Sequence, residues 1–233
     1  MVKRGCPSTN AGAPDPGRMV GSVSSDAVPD PGPHPRSPGV VWEARALTRK
    51  DRRTALGYGG ATVWLTGLPA SGKSTVAAAV EARLLAAGRP AYLLDGDNLR
   101  HGLNGDLGFS AEDRAENVRR TAEVAALLAD AGVVALAALV SPYRADRDAA
   151  RAAHEHRGLP FLEVWVSTSL EECERRDPKG LYARARAGEL TGLTGVDDPY
   201  EPPARPELEV TGDEDSAAAA DRVVAAVSGA RSA

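Results

Sequence analysis

Cysteine is close to absent from this chain: Cys6 and Cys173 are the two in 233 residues. A disulfide framework is therefore excluded, and a reducing compartment, the cytoplasm, is expected. Long apolar runs are missing as well. The longest, Val133 to Val140, is a strand's length and far short of the roughly 20 residues that cross a bilayer, so no membrane association is expected. Lys3 and Arg4 are followed by Pro, Gly, Ser and Asp rather than by an apolar segment, which is not a secretory signal. Nor is there a surplus of positive charge. A formal net charge of -4 leaves no electrostatic basis for binding nucleic acid. Lysine itself is scarce, with only Lys3, Lys50, Lys73 and Lys179 among 28 basic residues. Where arginine is the habit, a retained lysine points to a place that needs a compact point charge.

What is present fits one α/β domain with a tail. Residues 1–39 are dominated by Pro, Gly, Ser, Ala and Asp without apolar periodicity, the composition of a disordered tail, and Met19 within it offers an alternative start. The folded domain is expected over residues 40–233, with Trp42 anchoring its opening and a basic helix from Leu47 to Leu56. Strand and helix signals then alternate. Strands are expected at Ala61 to Thr66, Pro90 to Leu94, Val133 to Val140, Leu159 to Val166 and Glu207 to Val210. Between them fall helices from Lys73 to Ala87, from Ser110 to about Ala131, from Tyr143 to His154 and from Thr168 or Ser169 to Arg176; Ser216 to Val227 makes the last. Ser110 with Asp113 resembles a capping box. Residues 177–206, rich in Gly and Pro, read as a lid and connecting loop.

One string carries chemistry outright. Gly67-Leu68-Pro69-Ala70-Ser71-Gly72-Lys73-Ser74, with Thr75 after it, matches G-x-x-x-x-G-K-[ST] and sits between an expected strand and an expected helix. There backbone N–H groups and a helix N-terminus cradle phosphate, Lys73 meets the β- and γ-phosphates, and the Ser74 hydroxyl ligates Mg²⁺. The expectation is an ATP- and Mg²⁺-dependent phosphotransferase with a three-layer P-loop NTPase fold: a mostly parallel five-stranded sheet, helices on both faces, and a lid. Asp95 closes the second strand at the carboxyl edge of the sheet, where ligands of open α/β folds bind. Asp97 follows two residues on, so one short loop carries two acids, either of which could reach Mg²⁺ or accept the proton of an attacking hydroxyl. No N-K-x-D string follows, which counts against a GTPase.

From Asp95 the run Asp95-Gly96-Asp97-Asn98-Leu99-Arg100-His101-Gly102-Leu103-Asn104, continuing through Asp106-Leu107-Gly108-Phe109-Ser110 to Arg114, Glu116, Asn117 and Arg119-Arg120, resembles the adenylyl-sulfate kinase family. Ser141-Pro142-Tyr143-Arg144-Ala145-Asp146-Arg147 looks like that family's next signature. Asp177-Pro178-Lys179-Gly180-Leu181-Tyr182, Arg186 to Glu189, and Thr194-Gly195-Val196-Asp197 to Glu201 look like its lid and last binding loop. The resemblance covers the chain from about Val40 onward. It implies phosphorylation of adenylyl sulfate on its 3′-hydroxyl to give 3′-phosphoadenylyl sulfate and ADP, in sulfate assimilation.

The resemblance also implies roles. Arg100, Arg114 and Asn117 would hold the phosphosulfate and ribose of the acceptor, as forked guanidinium groups suit multi-oxygen anions. Phe109 would stack on its adenine. Asp97 would be the general base or hydroxyl-orienting residue and Asp95 the Mg²⁺-linked partner, an assignment that could be reversed. Ser141 matches a serine described in the family as a phosphoserine intermediate, but transfer to a positioned hydroxyl needs alignment and charge neutralisation rather than a relay nucleophile. Lys179 would close over the phosphates with Arg184 and Arg186 assisting. A homodimer is implied, and a separate ATP sulfurylase is the expected supplier of the acceptor. Two departures stand out. Leu193 occupies the place where the family carries a second phenylalanine for the acceptor adenine, and Pro69-Ala70 replace small residues in the phosphate loop. Leu193 keeps an alternative open, a P-loop kinase of another small hydroxyl acceptor.

Overall fold

The computed structural model describes residues 39–40 and 46–229. Apart from residue 39, the expected tail lies outside the described residues, as does Trp42. The described chain opens with α1 (Arg49–Leu56), where Thr48 and Asp51 form a reciprocal capping box and Gly57, at φ +78°, stops the helix. This helix buries none of its residues. It is held by guanidinium groups instead: Arg49 and Arg52 both pair with Asp130, and Arg49 also donates to the carbonyls of Arg157 and Gly158.

Five strands, β1 (Ala61–Thr66), β2 (Ala91–Asp95), β3 (Val134–Ala138), β4 (Phe161–Val166) and β5 (Leu208–Val210), form one sheet in the order β2-β3-β1-β4-β5. Every pairing is parallel, so each return runs through a crossover. Strand β1 lies in the middle, buried along its whole length, as its near-continuous apolar composition requires. Its alternate residues feed two cores. Ala61, Val63 and Leu65 pack with Val76, Val80 and Leu84 of α2 (Lys73–Ala86) and with Val223 and Val227 of α8 (Ser216–Gly229). Trp64 packs on the other face with Val118 and Ala122 of α4 (Ala111–Asp130) and Ala150 of α5 (Arg144–His156). Each large apolar side chain so buried contributes about 1.5–3 kcal/mol. His154 is fully buried here; its Nδ1–H donates to the Ala150 carbonyl at 2.8 Å, leaving Nε2 to accept from Thr62 Oγ1 at 2.9 Å.

Gly60, just before β1, is required by crowding. A Cβ there would lie 2.5 Å from the Val133 carbonyl oxygen and closer still to that of Ala129. Each sheet edge has one mid-strand backbone group taken by a side chain: Glu81 of α2 accepts from Leu93 N–H on β2 at 2.8 Å, and Arg222 of α8 donates to the Glu209 carbonyl on β5 at 3.1 Å.

The expected strands and long helices form within a few residues of their expected ends, and two short helices correct the sequence reading. Residues expected as a loop after Asp95 make α3 (Gly96–Leu99), because the Asp95 carboxylate caps the amides of Asp97 and Asn98. Helix α6 (Leu170–Arg176), capped by Ser169, forms where a helix was expected, and α7 (Leu181–Arg186) follows it inside the segment expected as lid and loop. There the Asp177 carboxylate accepts from the amides of Leu181 and Ala183, holding a turn that Gly and Pro alone would leave open.

Candidate functional site

The phosphate loop leaves the carboxyl end of the central strand and enters α2. Gly67 takes φ +153° with no room for a Cβ, which would stand 2.5 Å from the Val166 carbonyl oxygen; Gly72 takes φ +106° at the helix cap. Ala70 adopts φ +59°, a left-handed conformation held by the loop around it. The loop is braced from behind: Thr168 Oγ1 donates to the Ser71 carbonyl at 2.8 Å, and the Tyr182 hydroxyl donates to that of Pro69 at 3.0 Å. Lys73 is folded into the cradle, its Nζ donating to the carbonyls of Gly67 and Leu68 and to Ser71 Oγ at 3.0, 2.6 and 3.3 Å. Burial pulls its amine down to about 8. A charge so desolvated gains most from an approaching phosphate.

Ser74 and Thr75 are exposed in the first turn of α2, which carries no acid to oppose an anion at its N-terminus. Ser74 Oγ donates to Asp95 Oδ2 at 2.6 Å, while Asp95 Oδ1 accepts from the amides of Asp97 and Asn98. The expected metal pair is thus in contact. Among the described residues no three His, Cys, Asp or Glu side chains gather into a cage. Two adjoining hard oxygen donors beside a phosphate loop fit Mg²⁺, which takes one or two protein ligands and completes its shell with water and phosphate. Asp97, exposed two residues beyond, is ion-paired with Lys179, so buried Lys73 and exposed Lys179 both lie at the site.

The acceptor side is assembled around Phe109, which is 63% exposed. The Arg100 guanidinium lies 4.1 Å from the ring centroid and that of Arg114 5.7 Å. Arg100 also donates to the carbonyls of Leu107 and Gly108, and Arg114 to those of Phe109 and Gly192. Asn117 is buried below them and accepts from Asn104 Nδ2 at 2.8 Å. Arg120 and Glu116 tie the same stretch to α4, with Arg120 gripping Asp106 through both carboxylate oxygens.

Leu193 follows Gly192, whose carbonyl takes Arg114. It is 7% exposed and packs with Cys173 and Tyr182, against Leu68 and Val196, in an apolar cluster under α6 and α7. The neighbouring cavity of about 530 Å³ is lined instead by Leu68 and residues 195–200. Ser141 is 4% exposed at φ +39°. Its hydroxyl accepts from Trp64 Nε1 and donates to Thr66 Oγ1, both at 3.1 Å, which is the geometry of a hydroxyl that orders its loop.

Sequence reasoning put no residue in a second cavity of about 690 Å³, formed by Thr168, Ser169, Glu172, Arg176, Gly212 and Asp213 among others. It adjoins the phosphate loop, since Arg176 reaches the Ser71 carbonyl as well as that of Gly212. Its walls follow the carboxyl ends of β4 and β5, the sheet edge where α/β folds bind ligands, and that was the available signal.

The family model for adenylylsulphate kinase matches residues 59–211. The chain belongs to the adenylyl-sulfate kinase family. Adenylyl-sulfate kinase 3 of Arabidopsis thaliana is 52% identical over 174 residues, covering 75% of this chain and 83% of that protein. The adenylyl-sulfate kinase of Geotalea uraniireducens is 52% identical over 189 residues, covering 79% of this chain and 90% of that one. Among solved structures, the Mycobacterium tuberculosis APS kinase CysC in complex with AMPPNP and APS is 55% identical and superposes with a TM-score of 0.71, covering 72% of this chain and 97% of that chain. As an adenylyl-sulfate kinase family member, the chain has the three-layer P-loop fold expected from its motifs, with helices on both faces of a five-stranded parallel sheet.

Proposed function

We propose that this chain transfers the γ-phosphoryl group of ATP to the 3′-hydroxyl of adenylyl sulfate, giving ADP and 3′-phosphoadenylyl sulfate. The observation that carries the reading is a continuous line of contacts: Lys73 and Ser74 in the phosphate loop, Ser74 to Asp95, Asp95 to the amide of Asp97, and Asp97 to Lys179. The arginine-flanked ring of Phe109 follows Asp97 on the same loop segment. Triphosphate and acceptor would thus meet at Asp97.

The loop amides of residues 67–75 and Lys73 hold the β- and γ-phosphates. When bound at Ser74 and Asp95, Mg²⁺ supplies neutralisation of the charge shared between those phosphates. Asp97 accepts the proton of the attacking hydroxyl, and Lys179, released from Asp97, turns to the phosphates and excludes water from them. Arg100, Arg114 and Asn117 orient the phosphosulfate and ribose, and Phe109 stacks on the acceptor's adenine. The cavity walled by Arg176 and Gly212 takes the nucleoside of ATP. Ser141 contributes by ordering its loop.

The reading includes a homodimer working in the reducing cytoplasm and fed by a separate ATP sulfurylase. Low cysteine use supports the compartment, and no helix among the described residues is long and apolar enough to cross a membrane. The leucine at position 193, where the family carries a second phenylalanine, favours a second reading, a kinase of another small hydroxyl acceptor, because only one ring is left to grip adenine. Coupled ADP release with ATP and Mg²⁺, with and without low-micromolar adenylyl sulfate, separates the two. Acceptor-dependent turnover abolished by both Lys73→Ala and Asp97→Asn is expected. ADP release indifferent to adenylyl sulfate would move the assignment to the second reading.

A further inference from the structure

Two loops, one of which meets Arg114 of the acceptor side through Gly192 and Asp198, are joined by one side chain that reaches no surface. Arg147, in the first turn of α5, is 1% exposed. Its Nε donates to Glu163 Oε1 on β4 at 2.8 Å, one Nη to the Ser141 carbonyl at 2.6 Å, and the other Nη to the Glu201 carbonyl at 2.6 Å. A planar guanidinium can serve three acceptors in fixed directions, which an ammonium cannot. The loops are also zipped to each other: Glu201 N–H donates to the Pro142 carbonyl at 2.9 Å, and Arg144 N–H to Glu201 Oε2 at 2.7 Å.

The consequence reaches the site through two neighbours. Ser141 is held in a left-handed conformation that costs energy unless its surroundings fix it, and the Arg147 bond to its carbonyl does so. Tyr200, next to Glu201, lines the cavity formed by Leu68 and residues 195–200, the segment whose Asp198 pairs with Arg114, and shares a hydrogen bond with Thr66 Oγ1 at 3.1 Å. Thr66 is the last residue of β1 and precedes the phosphate loop. That end of β1 has its own anchor, since Thr66 Oγ1 also donates to the Val140 carbonyl at 2.8 Å. Losing Arg147 therefore removes the buried anchor of the loop carrying Tyr200, leaving its ties to the Ser141 loop, but leaves the phosphate loop braced by Thr168 and Tyr182.

We propose that Arg147 is a positioning residue for the acceptor: buried behind both loops, it sets Tyr200 and the 195–200 loop against the end of β1, so that acceptor affinity depends on it and ATP affinity does not. The inference rests on the adenylyl-sulfate reading above. Two variants test it. Arg147→Lys keeps a charge beside Glu163 but cannot reach both carbonyls, and Arg147→Gln combined with Glu163→Gln removes the buried pair without stranding a charge. For both, the KM for adenylyl sulfate is expected to rise about ten- to hundredfold, as the loss of one or two hydrogen bonds from a charged group implies. Binding of a non-hydrolysable ATP analogue should stay within about twofold, and kcat at saturating acceptor should fall far less than kcat/KM.

Equal losses in acceptor and ATP affinity, or no loss in either, would overturn the proposal. So would failure of both variants to fold, since Arg147 would then merely hold the domain together. A wild-type chain indifferent to adenylyl sulfate would sink the functional reading, and this inference with it, before any variant is compared.

Discussion

Replacing Lys73 by methionine should change not only turnover but the way stability responds to pH. The Lys73 amine lies at about 8 in the folded chain against an ordinary 10.5, because burial penalises its charge. Between those two values the unfolded chain binds a proton that the folded chain does not, so stability rises with pH. The cost of the buried charge is fully present below about pH 8 and vanishes as pH climbs toward the unfolded value. At about 1.4 kcal/mol per pH unit the full window amounts to roughly 3 kcal/mol. Between pH 7.5 and 9.5 the wild type should gain about 2 kcal/mol on Lys73→Met, whose side chain does not titrate. Urea unfolding of both proteins at the two pH values reads this directly, and hydrogen bonds lost in the variant cancel because they are lost at both. A stability gap that does not move with pH would refute the reasoning. Saturating Mg-ATP should shrink the movement, because phosphate restores the charge, and above pH 8 nucleotide binding should take up protons.

Four further outcomes are expected. Phe109→Ala should raise the KM for the acceptor roughly tenfold or more, as stacking of about 1–3 kcal/mol requires, and leave that for ATP alone; equal changes in both would count against a stacking role. Ser74→Ala and Asp95→Asn should each raise the Mg²⁺ concentration for half-maximal rate, and a Mg²⁺ titration that superposes on the wild type would remove them from the metal pair. His154 is held below its ordinary value by burial, so the stability its neutral ring supports is present above about pH 6.5 and lost as pH falls; thermal melts from pH 7 to 5 should be flatter for His154→Gln. Gly60→Ala, which drives a methyl group against the Ala129 and Val133 carbonyls, should cost about 2–4 kcal/mol in denaturant midpoints, whereas a near-neutral result would mean the β1 entry can shift.

The architecture was legible because its signals are local. Val133 to Val140 reads as a strand buried on both faces from eight consecutive apolar residues, and the phosphate loop is read from one contiguous string. The short helices were not, because each depends on a single carboxylate turning back on its own backbone: Asp95 for α3 and Asp177 for α7. The site divides the same way. Asp95 and Ser74 were paired by the logic of strand ends, and they touch. The cavity beside Arg176 needs residues after two different strands to converge, and the grip of Arg147 on Glu201 spans 54 positions; no spacing announces either. Leu193 was placed by motif alignment, which says nothing of its packing: its side chain joins Cys173 and Tyr182, while the carbonyl of Gly192 beside it takes Arg114.

The carboxylate of Glu81 on β2 and the guanidinium of Arg222 on β5 have a consequence beyond the fold. The middle of each outer strand would otherwise present an amide or a carbonyl to any passing chain, an invitation to open-ended stacking. With both taken, the middle of each outer strand offers a second copy one backbone partner fewer, which weakens continuation of the sheet from one molecule into the next. The protection is conditional on α2 and α8 staying docked. Peeling either helix away uncovers an adhesive rim, so thermal loss of these helices should be followed by precipitation rather than by return to the native state.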